Sequence, residues 1–156
     1  MAAAPVHALA ALMLCLVAGC GSSTDTNESA AEPTATTMSR QVAINTWYRT
    51  ASPAVKQIDV SMRLAHGALG EHDFSDLRAA CVEMHEATEE LDSLLPTPDP
   101  RLTAEFEGAA ENYGEASKLC MSVSLETPTD HLKEMSSHFT AGQAHMMAAF
   151  AIINAA

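Results

Sequence analysis

Residues 73–95 read DFSDLRAACVEMHEATEELDSLL, and within them Phe74, Leu77, Cys81, Met84, Thr88, Leu91 and Leu95 recur at alternating spacings of three and four. That rhythm puts all seven on one stripe of an α-helix buried along its length, with the threonine as the sole break. The following segments repeat it. Leu102, Phe106, Ala109, Tyr113, Ala116, Cys120 and Val123 form a second stripe, and Leu132, Met135, Phe139, Gly142, Met146, Ala149 and Ile153 a third. Upstream, Ile44, Tyr48, Ala51, Val55, Ile58, Met62, Ala65 and Leu69 keep the same spacing across Pro53. A proline inside a helix forfeits one backbone hydrogen bond, so a kink is expected at Pro53, or a short helix followed by a new one capped by Ser52. The expected fold is all-α: a four-helix, mostly antiparallel bundle with short connections and a kink or break at Pro53.

The boundaries follow from the capping chemistry. Asp73 with Asp76 resembles a capping box, Asp99-Pro100 places a cap before a first-turn proline, and Thr127-Pro128 with Asp130 does both. Pro96-Thr97-Pro98 breaks the chain between the second and third helices, and Gly67 and Gly70 are expected to end the first. No internal repeat and no strand pattern is present.

The N-terminal region has a different composition. Val6 to Val17 is an apolar run of about twelve residues, short of the roughly twenty that span a membrane, and it reads as a signal-peptide core. It ends in Leu16-Val17-Ala18-Gly19-Cys20, which resembles the lipobox of bacterial lipoproteins. That resemblance implies a lipid on the Cys20 thiol, with acyl chains such as palmitate, and cleavage after Gly19. Two or three acyl chains anchor a protein stably where one holds only marginally. The polar stretch after Cys20 is too poor in large apolar residues to offset its ordering entropy. The expected division is a signal peptide over 1–19, the lipidated cysteine and a disordered tether over 20–38, and a helical bundle over 39–156. Such a tether spans roughly 25 Å.

Twenty acidic against eight basic residues give a net charge of −12. A surface of that sign repels nucleic acid and anionic headgroups, so membrane attachment is expected through lipid and not through a basic patch. Of four cysteines, Cys15 leaves with the signal peptide and Cys20 is lipidated, which leaves Cys81 and Cys120 in the domain. An even pair in an exported protein, on the buried stripes of consecutive helices, points to a disulfide; two buried free thiols are the alternative. The pairing requires an offset. Counted from the helix ends, Cys81 lies roughly 21 Å and Cys120 roughly 30 Å along its own helix, so the connection has to start the third helix beyond the end of the second.

Residues with the chemistry for a site are few. His131, His138 and His145 repeat every seven residues on the last helix, and seven residues rise about 10.5 Å, too far for two of them to share an ion unless other helices contribute. Met135 lies between His131 and His138, and a His-Met-His set suits copper; the competing reading is flanking histidines with ordinary hydrogen bonds. Met84-His85-Glu86-Ala87-Thr88-Glu89 begins like a zinc-protease helix but has Glu89 where the second histidine belongs. No Glu-x-x-His, nucleophile-elbow, Walker or dinucleotide motif occurs, so an enzyme is not expected. Glu83, Glu86, Glu89 and Glu90 read as a solvated face. Trp47 reads as an anchor of the core near the proline.

Taken with the lipobox and the paired cysteines, the connection Leu94-Leu95-Pro96-Thr97-Pro98-Asp99-Pro100-Arg101-Leu102 is similar to that of small exported lipoproteins of actinobacteria, mycobacteria in particular. The resemblance implies the extracytoplasmic face of the plasma membrane and brings no catalytic residues or cofactor beyond the covalent lipid. The expected function is a non-enzymatic bundle that binds a protein or a small apolar ligand. The alternative is a copper- or zinc-binding lipoprotein using His131, Met135 and His138.

Overall fold

The computed structural model describes residues 33–155. Cys20, the signal peptide and tether residues 20–32 lie outside the described residues. Four helices follow in order: α1 (Pro33–Glu71), α2 (Phe74–Ser93), α3 (Pro100–Met121) and α4 (Thr129–Ala155). Among the described residues there is no strand.

Each stripe read from the spacing faces inward. All seven positions of the α3 series are buried, and no residue of the four series is exposed. The threonine that interrupts the α2 series is accommodated because its Oγ1 donates to the Met84 carbonyl oxygen at 2.7 Å, so no buried hydroxyl is left without a partner. Two core layers result. One is built around Ile44, Leu91, Phe106 and Ile153, the other around Leu77, the Cys81–Cys120 disulfide and Met135.

Three boundaries differ from the sequence reading: the start and the end of α1, and the cap of α4. α1 begins at Pro33, so residues 33–38 of the expected tether are helical; a proline is well placed in a first turn, where its missing N–H has no helical partner to lose. Of the two expectations at Pro53, the break does not occur: α1 runs through it as one helix and no second helix starts at Ser52. Pro53 is exposed, so its ring sits off the packed seam. Finally, α1 passes Gly67 and Gly70 and ends at Glu71. His72 takes the left-handed conformation (φ 59°), its N–H donates to Leu69 O, and the Asp73 N–H donates to Ala68 O. This is a Schellman closure with histidine where glycine is usual. Asp73 then opens the next helix, since its Oδ1 accepts from the N–H groups of Ser75 and Asp76, both at 3.0 Å. One residue therefore closes α1 with its backbone and starts α2 with its side chain.

Asp99 caps α3 as expected, accepting from Arg101 N at 2.8 Å and Leu102 N at 3.3 Å. Thr127 does not cap α4. Its hydroxyl turns back to accept from Ser124 N at 2.7 Å, tightening the loop before the helix.

The offset demanded by the disulfide is met. The Cys81 and Cys120 Cα atoms are 6.0 Å apart, a separation a disulfide spans without moving the backbone. Measured from the observed ends of α2 and α3, the two cysteines differ by eight residues, a rise of about 12 Å. α1 shows the same displacement. Trp47 Nε1 donates to Leu94 O at 2.9 Å at the end of α2, while Arg40, seven residues earlier, pairs with Asp99 at the start of α3. Seven residues rise about 10.5 Å. Trp47 also packs on Phe106, with ring centroids 5.1 Å apart, and so anchors the core as its position suggested.

Candidate functional site: the crevice between α1 and α4

Helices consecutive in sequence pack closely along their lengths, but α1 and α4, the first and last, meet only sparsely. A strip of their inward faces is therefore left uncovered. Among the stripe residues, Tyr48, Met62 and Leu69 on α1 and Leu132 and Phe139 on α4 are half-buried where their stripe neighbours are mostly buried, and all five line the gap between the two helices. The other half-buried stripe residues, Phe74 and Leu95, lie at the two ends of α2.

The gap forms two cavities that share Met62 and Gln143. One, of about 300 Å³, runs from Tyr48 and Phe150 toward Met62, with Tyr113 of α3 lining it from within. The other, of about 340 Å³, continues past Phe139 to Leu69 and Leu132 and reaches Leu77 and Cys120 of the second core layer. A larger hollow of about 720 Å³ is lined by α4 alone, mostly by small and polar side chains, and lies open to solvent.

Chemically, the crevice is apolar with little polar trim. The Tyr113 hydroxyl is pushed up to about 12, first by burial and then by the Asp59 carboxylate, so it stays neutral. Burial raises Tyr48 in the same direction. The Tyr113 ring fits because Gly142 faces it: a Cβ at that position would lie 3.0 Å from the ring. Tyr48 and Phe150 meet edge to face across one end, with centroids 6.1 Å apart. Sequence reading placed Tyr48, Met62, Leu69, Leu132 and Phe139 in the core and did not single out Lys56, Gln143, Met147 or Phe150. A signal was available, because Met147 and Phe150 widen the apolar arc of α4 beyond a single stripe on the side of the crevice.

The histidines of α4 lie on its opposite flank, against α3. His131 Nε2 donates to Leu119 O at 3.0 Å, His138 Nδ1 donates to Asn112 Oδ1 at 3.1 Å, and His145 Nδ1 donates to Glu105 Oε2 at 2.8 Å. They form rungs between two helices. His131 and His138 thus turn to separate partners, Met135 is buried in the second core layer, and the three do not converge. Among the described residues no three of His, Cys, Asp and Glu come together in a way that would hold a metal ion.

One arrangement outside the crevice has the order of a hydrolytic triad. Ser117 Oγ lies 3.2 Å from His85 Nδ1, and His85 Nε2 lies 3.6 Å from Glu89 Oε1. Ser117 is fully buried, however, and its hydroxyl donates to Gly114 O at 2.7 Å. It sits within α3, where the surrounding N–H groups are taken by the helix and none is free to stabilise an oxyanion. Glu83, Glu86, Glu89 and Glu90 are exposed.

No protein-family model, curated protein or solved structure matches the chain. Among the described residues no helix is long and apolar enough to cross a membrane.

Proposed function

We propose that the protein is a lipoprotein held at the outer face of the plasma membrane by acyl chains on Cys20, and that its bundle is a non-enzymatic module that takes up a small apolar partner between α1 and α4. The observation that carries the binding role is the coincidence of the five half-buried stripe residues with the lining of one crevice. A seam evolved only for packing has no reason to leave tyrosine, methionine, leucine and phenylalanine uncovered along a single interface. The lipobox Leu16-Val17-Ala18-Gly19-Cys20 and the acidic charge support attachment by lipid. The alternative reading, a copper or zinc site on His131, Met135 and His138, draws no support from side chains that point to different partners.

Two measurements test the proposal. Metabolic labelling with an alkynyl fatty acid is expected to mark the wild-type chain and not Cys20→Ala; label on the variant removes the anchoring claim. A neutral alkyl diazirine, photolysed with the full chain in vesicles, is expected to crosslink to peptides bearing Met62 and Phe139. Label confined to other faces removes the binding claim.

A further inference from the structure

Among the described residues Lys56 is the only lysine or arginine that lines either cavity of the crevice. Among the described residues it has no carboxylate within ion-pair distance, whereas Asp59, one turn on, is already engaged by Arg63 at 3.0 Å. A lysine head on an apolar stem, unpaired and beside a hydrophobic channel, suits a ligand with an anionic head and a long apolar tail.

The dimensions select among such ligands. From Lys56 to Leu69, α1 rises about 20 Å. Each leaflet of a bilayer is about 15 Å of hydrocarbon, so one acyl chain fits that length. The two cavities, about 300 and 340 Å³ and both open along one side, are on the scale of a single alkyl chain at about 30 Å³ for each group of water size. A partner helix is about 10 Å across and does not fit between helices that still touch. Met62 and Gln143 line both cavities, and methionine adapts its shape to irregular gaps.

We propose that the crevice binds one long-chain fatty acid, with its carboxylate at Lys56 and its alkyl chain running along α1 past Met62 and Phe139 toward Leu69. The proposal rests on the reading of the crevice as a binding site and adds the class of ligand. Tyr113 stays neutral, and the one carboxylate that lines the same cavity among the described residues, Asp59, is held by Arg63. Gln143, exposed on α4, lines the same cavity as Lys56 and carries an amide donor.

The test uses the full lipidated chain in phosphatidylcholine vesicles at mildly alkaline pH, where a fatty acid is ionised and lysine is still protonated. A diazirine-bearing palmitic acid is photolysed, and its label is mapped by peptide mass spectrometry and competed with palmitic acid or hexadecanol. Label is expected on α1 and α4 peptides bearing Met62 and Phe139, with palmitic acid competing about fivefold better than hexadecanol. Lys56→Glu, an exposed change with no described partner to lose, is expected to erase that preference while labelling by the neutral alkyl diazirine persists. Equal competition in the wild type, or an unchanged preference in Lys56→Glu, overturns the fatty-acid assignment and leaves the crevice as an apolar site. Absence of label from the crevice with either probe overturns both.

Discussion

The His145 imidazole lies directly over Gly108, so that a Cβ at position 108 would come within 2.7 Å of the ring. The glycine is there for the histidine. It lets the ring reach Glu105 on α3 and complete the third rung of the α3–α4 contact. In a helix interior glycine costs about 1 kcal/mol relative to alanine, and this cost is offset here by close approach. Gly108→Ala is therefore expected to leave stability nearly unchanged, its helical gain cancelled by expulsion of the ring. In a His145→Ala background the same change should stabilise by about 1 kcal/mol. Urea denaturation of the four proteins measures the coupling, and an identical effect in both backgrounds contradicts the relationship.

His72 offers a simpler gain. It holds a left-handed conformation at the end of α1, where a side chain costs about 1–2 kcal/mol and glycine nothing. It is exposed, and among the described residues no hydrogen bond or ion pair of its ring compensates. His72→Gly is expected to raise the unfolding free energy by about 1 kcal/mol, read as a higher denaturation midpoint with the denaturant slope unchanged. A lower midpoint means that the imidazole has a role the cap does not show.

Asp99 has a fully buried side chain that receives Arg40 from α1 and caps α3 at the same time. Fully buried pairs lose about 3–5 kcal/mol when one partner is removed; with Arg40 half exposed and the cap retained, Arg40→Met is expected to cost about 2 kcal/mol. Arg101 is the internal control. It sits 4.0 Å from the same carboxylate but is largely exposed, so Arg101→Met should cost less than about 0.5 kcal/mol. Equal losses would place the charge of Asp99 nearer to solvent than its burial implies.

These residues also show where the sequence is informative. Spacing alone placed Leu102 through Val123 on a buried stripe, and all seven positions are buried, because a helix has one period and a small bundle one interior. The Cys81–Cys120 pairing and its offset were legible because α2 and α3 are consecutive and rise per residue is fixed. What was not legible depended on contacts distant in sequence. Periodicity says which face of α1 and α4 turns inward but not whether the first and last helices close on each other, so Tyr48, Met62 and Phe139 read as core and proved to be lining. The end of α1 was missed for a local reason: Gly67 and Gly70 looked like terminators, yet Leu69 still belongs to the seam and the helix stops only where Asp73 can serve both neighbours. The partners of the α4 histidines were likewise set by register against α3, which a single helix does not reveal.

Tyr113 carries the last prediction, through pH. Its hydroxyl is held up at about 12, by burial foremost and the Asp59 carboxylate next, whereas in the unfolded chain it returns to the ordinary value near 10. The folded state therefore favours the neutral form more than the unfolded state does. Its contribution to stability is complete below about pH 10 and is lost as pH rises through about 12, because the unfolded chain sheds the proton first. Tyr113→Phe keeps the ring against Gly142 but has nothing to ionise. The stability of the wild type should accordingly fall more steeply than that of the variant across that alkaline window, with a residual slope in both from Tyr48, which burial raises in the same sense. Denaturation midpoints collected against pH for the two proteins read the difference. Parallel curves would show that the hydroxyl already reaches solvent through the crevice in the native state.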